Sequence, residues 1–211
     1  MAERRRKIYM LFILFGVFWT ASSAQGFGIK MFYNFAKNSW VNPGGSLFRE
    51  EYASKYALGA CFEFRFIPYI SLSVEGLLSQ KGGIIASPGE KGIEYQLTYV
   101  SVPLLLNWYI FPVGTVQLFV SGGAEYSFLL EGKAFDLDLD READNNLGGK
   151  LAKSDLSYLV GLGVQANIII TKMILEGRYS VGQKDIFLPN FLAAGESFKN
   201  RVISFGVGFK F

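Results

Sequence analysis

The feature that most restricts this chain is the alternation of its last ten residues, Val202-Ile203-Ser204-Phe205-Gly206-Val207-Gly208-Phe209-Lys210-Phe211. Ile203, Phe205, Val207, Phe209 and Phe211 fall on every second position, with Ser204, Gly206, Gly208 and Lys210 between them. Side chains of a strand point alternately to opposite faces, so this period makes one strongly apolar face and one of small or polar groups. A soluble sandwich would bury the apolar face in a core. A membrane barrel turns it to lipid and lines its interior with the small and charged groups. The rest of the chain has to choose between them.

The first 24 residues read as a secretory signal. Arg4, Arg5, Arg6 and Lys7 form a charged start, residues 8–19 an apolar run of 12, and Thr20-Ala21-Ser22-Ser23-Ala24 supplies small side chains for a cut before Gln25. The run falls short of the roughly 20 residues of a membrane helix. Residues 1–24 are therefore expected to be removed, and residues 25–211 to form one domain. Removal takes four of the 21 Lys and Arg and one of the 18 Asp and Glu, leaving 17 of each. A neutral mature chain offers no case for nucleic-acid binding. The single cysteine, Cys61, allows no internal disulfide, and no cysteine follows the cut to carry a lipid anchor. Half of the residues are apolar and 16% aromatic, yet beyond the signal no stretch of about 18 apolar residues occurs. Export without membrane helices points to β-structure.

Period-two alternation recurs over residues 26–35, 56–66, 70–81, 93–110, 116–131, 155–168 and 173–181. The connections alternate in length. Residues 37–54, 82–92, 132–154 and 182–200 make long ones, while 67–69, 111–115 and 170–172 make short turns. With the last strand this predicts an all-β fold: an eight-stranded antiparallel up-and-down transmembrane β-barrel behind a cleaved signal peptide. Short turns and both mature termini would face the periplasm, and long loops the outside. Pro103 removes a ladder donor within its strand, which predicts a local irregularity there. Aromatics gather at strand ends, as interfacial girdles require. Phe27, Phe66, Tyr69, Trp108, Phe111, Phe209 and Phe211 fall at the periplasmic rim, and Phe35, Tyr56, Phe128, Tyr158 and Tyr179 at the outer rim. A soluble lipocalin-like carrier would point its polar face outward and charge it, whereas that face here is mostly Gly, Ser and Asn.

Alternation sends Lys30, Glu63, Arg65, Glu75, Glu125, Glu176, Arg178 and Lys210 inward, four of each sign. Eight strands enclose a space that side chains fill, while water-filled channels need about 16. The charges are therefore expected to pair across a closed interior, Arg178 offering its fork to Glu75 or Glu176. A charge-selective pore would show a surplus of one sign at a constriction. Cys61 reads as a small luminal residue. The chain has no histidine, which excludes a Ser-His or Asp-His mechanism and predicts a non-enzymatic protein without cofactor or metal. The acidic run Asp136-Leu137-Asp138-Leu139-Asp140-Arg141-Glu142-Ala143-Asp144 invites a calcium reading. However, Arg141 stands where the calcium loop needs glycine and Leu147 where it needs a carboxylate, so a solvated hairpin is preferred. Residues 186–192 are too apolar for a solvated loop, and Phe187, Leu188 and Phe191 are expected to cap the mouth or to offer a docking surface.

Four stretches, with the signal, carry a family likeness. They are Tyr99-Val100-Ser101-Val102-Pro103-Leu104-Leu105-Leu106, Gly161-Leu162-Gly163, Leu175-Glu176-Gly177-Arg178-Tyr179-Ser180-Val181-Gly182 and Phe205-Gly206-Val207-Gly208-Phe209-Lys210-Phe211. In order and spacing they resemble the PorT-like outer-membrane β-barrel family over essentially the whole mature chain. The resemblance implies a barrel set in outer-membrane lipid of a Gram-negative bacterium, with Phe209 and terminal Phe211 read by the barrel-assembly machinery. The family's name-giving member is linked to protein secretion, but the resemblance implies no single activity; other envelope or secretion proteins are the partners to look for. Function would then lie with the external loops, in structural, secretion-associated or surface-interaction roles. The alternative is a small channel or ligand-binding barrel for a small solute.

Overall fold

The computed structural model describes residues 25–41, 48–110, 115–144, 147–192 and 195–211. The expected signal, the girdle residue Phe111 and the expected turn through Pro112 and Gly114 lie outside them. Ten strands follow in order: β1 (Gln25–Val41), β2 (Arg49–Glu51), β3 (Ala53–Ile67), β4 (Ile70–Ala86), β5 (Ile93–Tyr109), β6 (Val116–Asp136), β7 (Arg141–Asp144), β8 (Ser154–Ile168), β9 (Thr171–Gly182) and β10 (Ser197–Lys210). The eight long ones pair antiparallel with their neighbours, and β1 pairs with β10 to close the ring. β2 and β7 are short additions on β4 and β6. The closing ladder runs from Gly28↔Lys210 to Val41↔Ser197. Slipping it by one residue would exchange the faces of a whole strand, so the alternation of residues 202–211 also holds the closure in register.

The outer face of the barrel is apolar, and polar and charged side chains are buried within it. Leu162, Trp108 and Phe205 are 70%, 63% and 58% exposed, while Ser71, Ser101 and Ser127 are wholly buried. In water such a surface would cost about 25 cal/mol for each Å² left uncovered, a penalty that lipid removes. All the described girdle residues stand on the outer surface: Phe27, Phe66, Tyr69, Trp108, Phe209 and Phe211 at one rim, Phe35, Tyr56, Phe128, Tyr158 and Tyr179 at the other.

The strands run further than the alternation suggested. Those expected to stop at Phe35, Lys81 and Glu131 continue to Val41, Ala86 and Asp136, and β10 begins at Ser197 instead of about Val202. Beyond the lipid the sense of the pattern inverts. There Leu97, Tyr99, Ala134 and Phe198 point inward and are buried. An outward apolar face marks a strand in lipid, and an inward one marks it in water, so a reading for constant polarity stops at the boundary. A bulge helps the change. Thr98 pairs with Glu131 and Tyr99 with Leu129, so Leu130 is the extra residue and Gly132 and Ala134 shift to the inner face.

Pro103 sits inside the closed ring, paired with Glu125. The β4–β5 ladder passes from Val74↔Leu104 to Leu77↔Ser101 without pairing the residues between, and it resumes in the same register. The irregularity at Pro103 is thus a gap in bonding, while the register shift of β5 lies at Thr98/Tyr99. The acidic run is the β6–β7 hairpin, with Asp136 opposite Arg141. At its tip Asp138 accepts hydrogen bonds from the backbone N–H groups of Lys91 and Gly92, pinning the hairpin to the β4–β5 connection. Those donors, Lys91 first, hold the carboxyl below the ordinary aspartate range.

Candidate functional site

The interior is built in layers, each from inward positions of several strands. At the short-turn end Lys210 on β10 donates to Glu63 on β3, and the Tyr109 hydroxyl on β5 donates to both oxygens of the same carboxylate at 2.7 and 2.9 Å. Arg65 lies with its guanidinium 4.1 Å from the Tyr109 ring centre and 3.5 Å from Glu63. Phe119 and Ile174 pack with Tyr109 in a small apolar layer. Deeper in, Arg178 on β9 takes both oxygens of Glu75 on β4 at 2.7 Å each, the two-pronged geometry that favours arginine over lysine. It also donates twice to Glu176, at 3.1 and 3.0 Å. Lys30 on β1 lies 2.7 Å from each of these carboxylates, so two cations face two anions in a buried cluster. Phe32 lies beneath the guanidinium, with its ring centre 4.5 Å away.

A third layer holds Glu125 with two residues the sequence reading did not single out. Lys81 lies 2.6 Å from Glu125 and 3.6 Å from Asp155, and it donates to the Ser127 hydroxyl. Asn200 donates to Asp155 and receives from Asn38, tying in β10 and β1. Counting inward from Ser79 and Ser157 would have found both charges. Both are end residues of the expected strands 70–81 and 155–168, where alternation has flanking strand residues on one side only to assign a face. Lys55 and Glu94 form a further pair towards the long-loop end. Between the second and third layers lies a cavity of 30 Å³ lined by Asn34, Ser79, Lys81, Glu125, Arg178 and Ser180, among others. It has room for about one water molecule.

Above the charged layers the interior turns apolar. Leu97, Tyr99, Ala134, Leu147, Leu151, Ile186 and Phe198 form one buried cluster, with Trp40, Tyr95 and Phe187 packed on it. The rings of Tyr95, Phe187 and Phe198 meet edge to face at 5.1–5.9 Å. Leu151 bridges to Phe187, so the β7–β8 and β9–β10 connections meet over the mouth. Of the three apolar residues expected there, Phe187 joins the plug, while Leu188 and Phe191 stay on its outer side, 36% and 52% exposed. Cys61 is buried on the inner face of β3. Among the described residues no group of three His, Cys, Asp or Glu side chains is placed to hold a metal ion.

The family model described as "Outer membrane protein beta-barrel domain" matches residues 21–188. The chain belongs to this family. As an outer-membrane barrel it resides in the outer membrane of a Gram-negative cell. It is similar to the outer membrane protein OprG of Pseudomonas aeruginosa, with 15% identity, 89% of this chain and 96% of that one covered, and a TM-score of 0.51. Neisserial surface protein A (NspA) aligns over 88% of this chain and 97% of its own at 13% identity and a TM-score of 0.49. The attachment invasion locus protein Ail of Yersinia pestis aligns over 88% and 98% at 14% identity and 0.47. The first of these likenesses, at such low identity, concerns the fold alone. No curated protein sequence matches the chain.

Proposed function

We propose that this outer-membrane barrel is a closed, non-enzymatic scaffold that works through the hairpins at its long-loop end. The observation that carries this reading is the filled interior. Three ionic layers and an apolar plug stand in series along the axis, and the cavity between the second and third layers measures 30 Å³. Passage of a hydrated solute would require breaking ion pairs that have no water to replace them. The outer hairpins instead present Phe48, Tyr52, Leu139 and Phe191 to the surroundings, each more than a third exposed. Exposed aromatic and aliphatic groups on polar hairpins suit contact with another protein.

Orientation belongs to the same proposal. An even number of long strands brings both mature termini to the short-turn side, which faces the periplasm in barrels of this class. The barrel-assembly machinery reads Phe209 and Phe211, and lipid covers the outer wall. The PorT-like motifs favour a secretion-associated role, with other envelope or secretion proteins as the partners of the loops. Planar-bilayer recording on purified, refolded protein tests the closed state: a silent bilayer is expected. Reproducible single-channel steps would overturn the reading and promote a small channel in its place.

A further inference from the structure

The inner ionic layers hold at least one carboxylate for each cation, whereas the short-turn mouth gathers three cations around one carboxylate. Arg65, Lys172 and Lys210 come together there, and the carboxylate that Arg65 and Lys210 reach is Glu63, at 3.5 and 2.5 Å. Lys172 has no ion-pair partner among the described residues, and it stands directly across the ladder from Lys210. Like charges in that position cost stability, so the arrangement is not one that folding alone would select.

Arg65 and Lys172 line a cavity of 140 Å³ together with Thr115, Gln117, Gln165 and Asn167, and none of its described lining residues is a carboxylate. Gln165 is only 4% exposed, yet its side-chain Oε1 has no hydrogen-bond partner among the described residues. An amide can turn over and present its NH₂ group at the same place, so the residue supplies a donor where an anion needs one. Tyr109 fixes the guanidinium of Arg65 by stacking, and the single 3.5 Å contact with Glu63 leaves most of its donors free to turn to a ligand. Phe119 and Ile174 occupy the next inward positions past Gln117 and Lys172 and pack with Tyr109, so the next layer inward from the cup is apolar. At about 30 Å³ per water, the space takes an oxyanion of phosphate size with some hydration.

We propose that this cup is a binding site for an oxyanion, a carboxylate or phosphate group presented at the short-turn mouth of the barrel. Surplus positive charge supplies attraction, the arginine fork and the amides supply direction, and the closed inner end makes the site terminal instead of a passage. The proposal is independent of the loop reading, because it concerns the opposite end of the barrel and is not measured by conductance.

The test is an NMR titration of refolded protein in neutral maltoside micelles with inorganic phosphate, acetate and chloride at matched ionic strength. Saturable shifts of the Gln117, Gln165 and Asn167 side-chain amides with phosphate or acetate, but not with chloride, are expected. The anion that saturates at lower concentration separates a phosphate from a carboxylate ligand. Lys172→Gln should weaken the response about tenfold, the loss of one charge-assisted contact, and adding Arg65→Gln should abolish it. A purely structural role makes a different demand. Lys172→Gln removes a like-charge opposition, so its resistance to urea should equal or exceed that of the parent while anion binding falls. Equal, unsaturating responses to all three anions, or full binding in a folded double variant, would overturn the proposal.

Discussion

Replacing Arg178 with methionine tests whether the interior is held by charge balance. The side chain makes four hydrogen bonds, two to Glu75 and two to Glu176. Both carboxylates are almost entirely shielded, with side chains 0% and 3% exposed. Without the guanidinium, Lys30 alone would face them, 2.7 Å from each. One negative charge would then be buried without compensation. Breaking a buried pair in this way costs about 3–5 kcal/mol, while methionine retains much of the packing against Phe32. The folding equilibrium should therefore fall by roughly two to nearly four orders of magnitude. Urea titration of refolded protein, followed by tryptophan fluorescence and by heat-modifiable gel mobility, measures the loss. The double variant Arg178→Met with Glu75→Gln carries the decisive comparison. It leaves Lys30 against Glu176, one charge of each sign, and should recover about half of the lost stability or more. A single variant within about 1 kcal/mol of the parent, or a double variant no more stable than the single, would refute the argument that uncompensated charge sets the cost.

Topology can be read by cysteine labelling in a Cys61→Ser background. A cysteine at Asn190 should react with an impermeant reagent on whole cells and one at Pro68 should not, and the reverse pattern would turn the barrel over. Asp138 makes a pH prediction at the hairpin tip. Its folded pKa is depressed, so its contribution is complete above the ordinary aspartate value of 3.8 and is lost as pH falls through the lower folded value. The amide resonances of Lys91 and Gly92 should titrate with a midpoint below 3.8, and a midpoint at or above it would show that the carboxylate is not held by those donors. Phe211→Asp should lower the amount of heat-modifiable protein in outer-membrane fractions, and unchanged abundance would remove the terminal aromatic from the assembly signal.

Strand number, antiparallel order, export and the lipid-facing direction of the outer residues were legible in the chain because each depends on neighbours in sequence. A period of two is a property of residues i and i+2, and short and long connections are simply counted. Those local rules also reached the inward placement of Arg178 and Glu75. They could not reach which partners meet. Arg178 finds Glu75 across 103 residues and Lys210 finds Glu63 across 147, distances set only when the sheet closes at Gly28↔Lys210. Lys81 and Asp155 were hidden for a related reason. They lie where the wall leaves lipid, and only the folded barrel decides that the strands continue there. The plug shows the limit most clearly. Tyr99, Leu151, Ile186 and Phe198 come from four separate parts of the chain and carry no shared pattern. Water outside the membrane drives them together at the mouth, an effect of burial that exists only once the three-dimensional wall surrounds them.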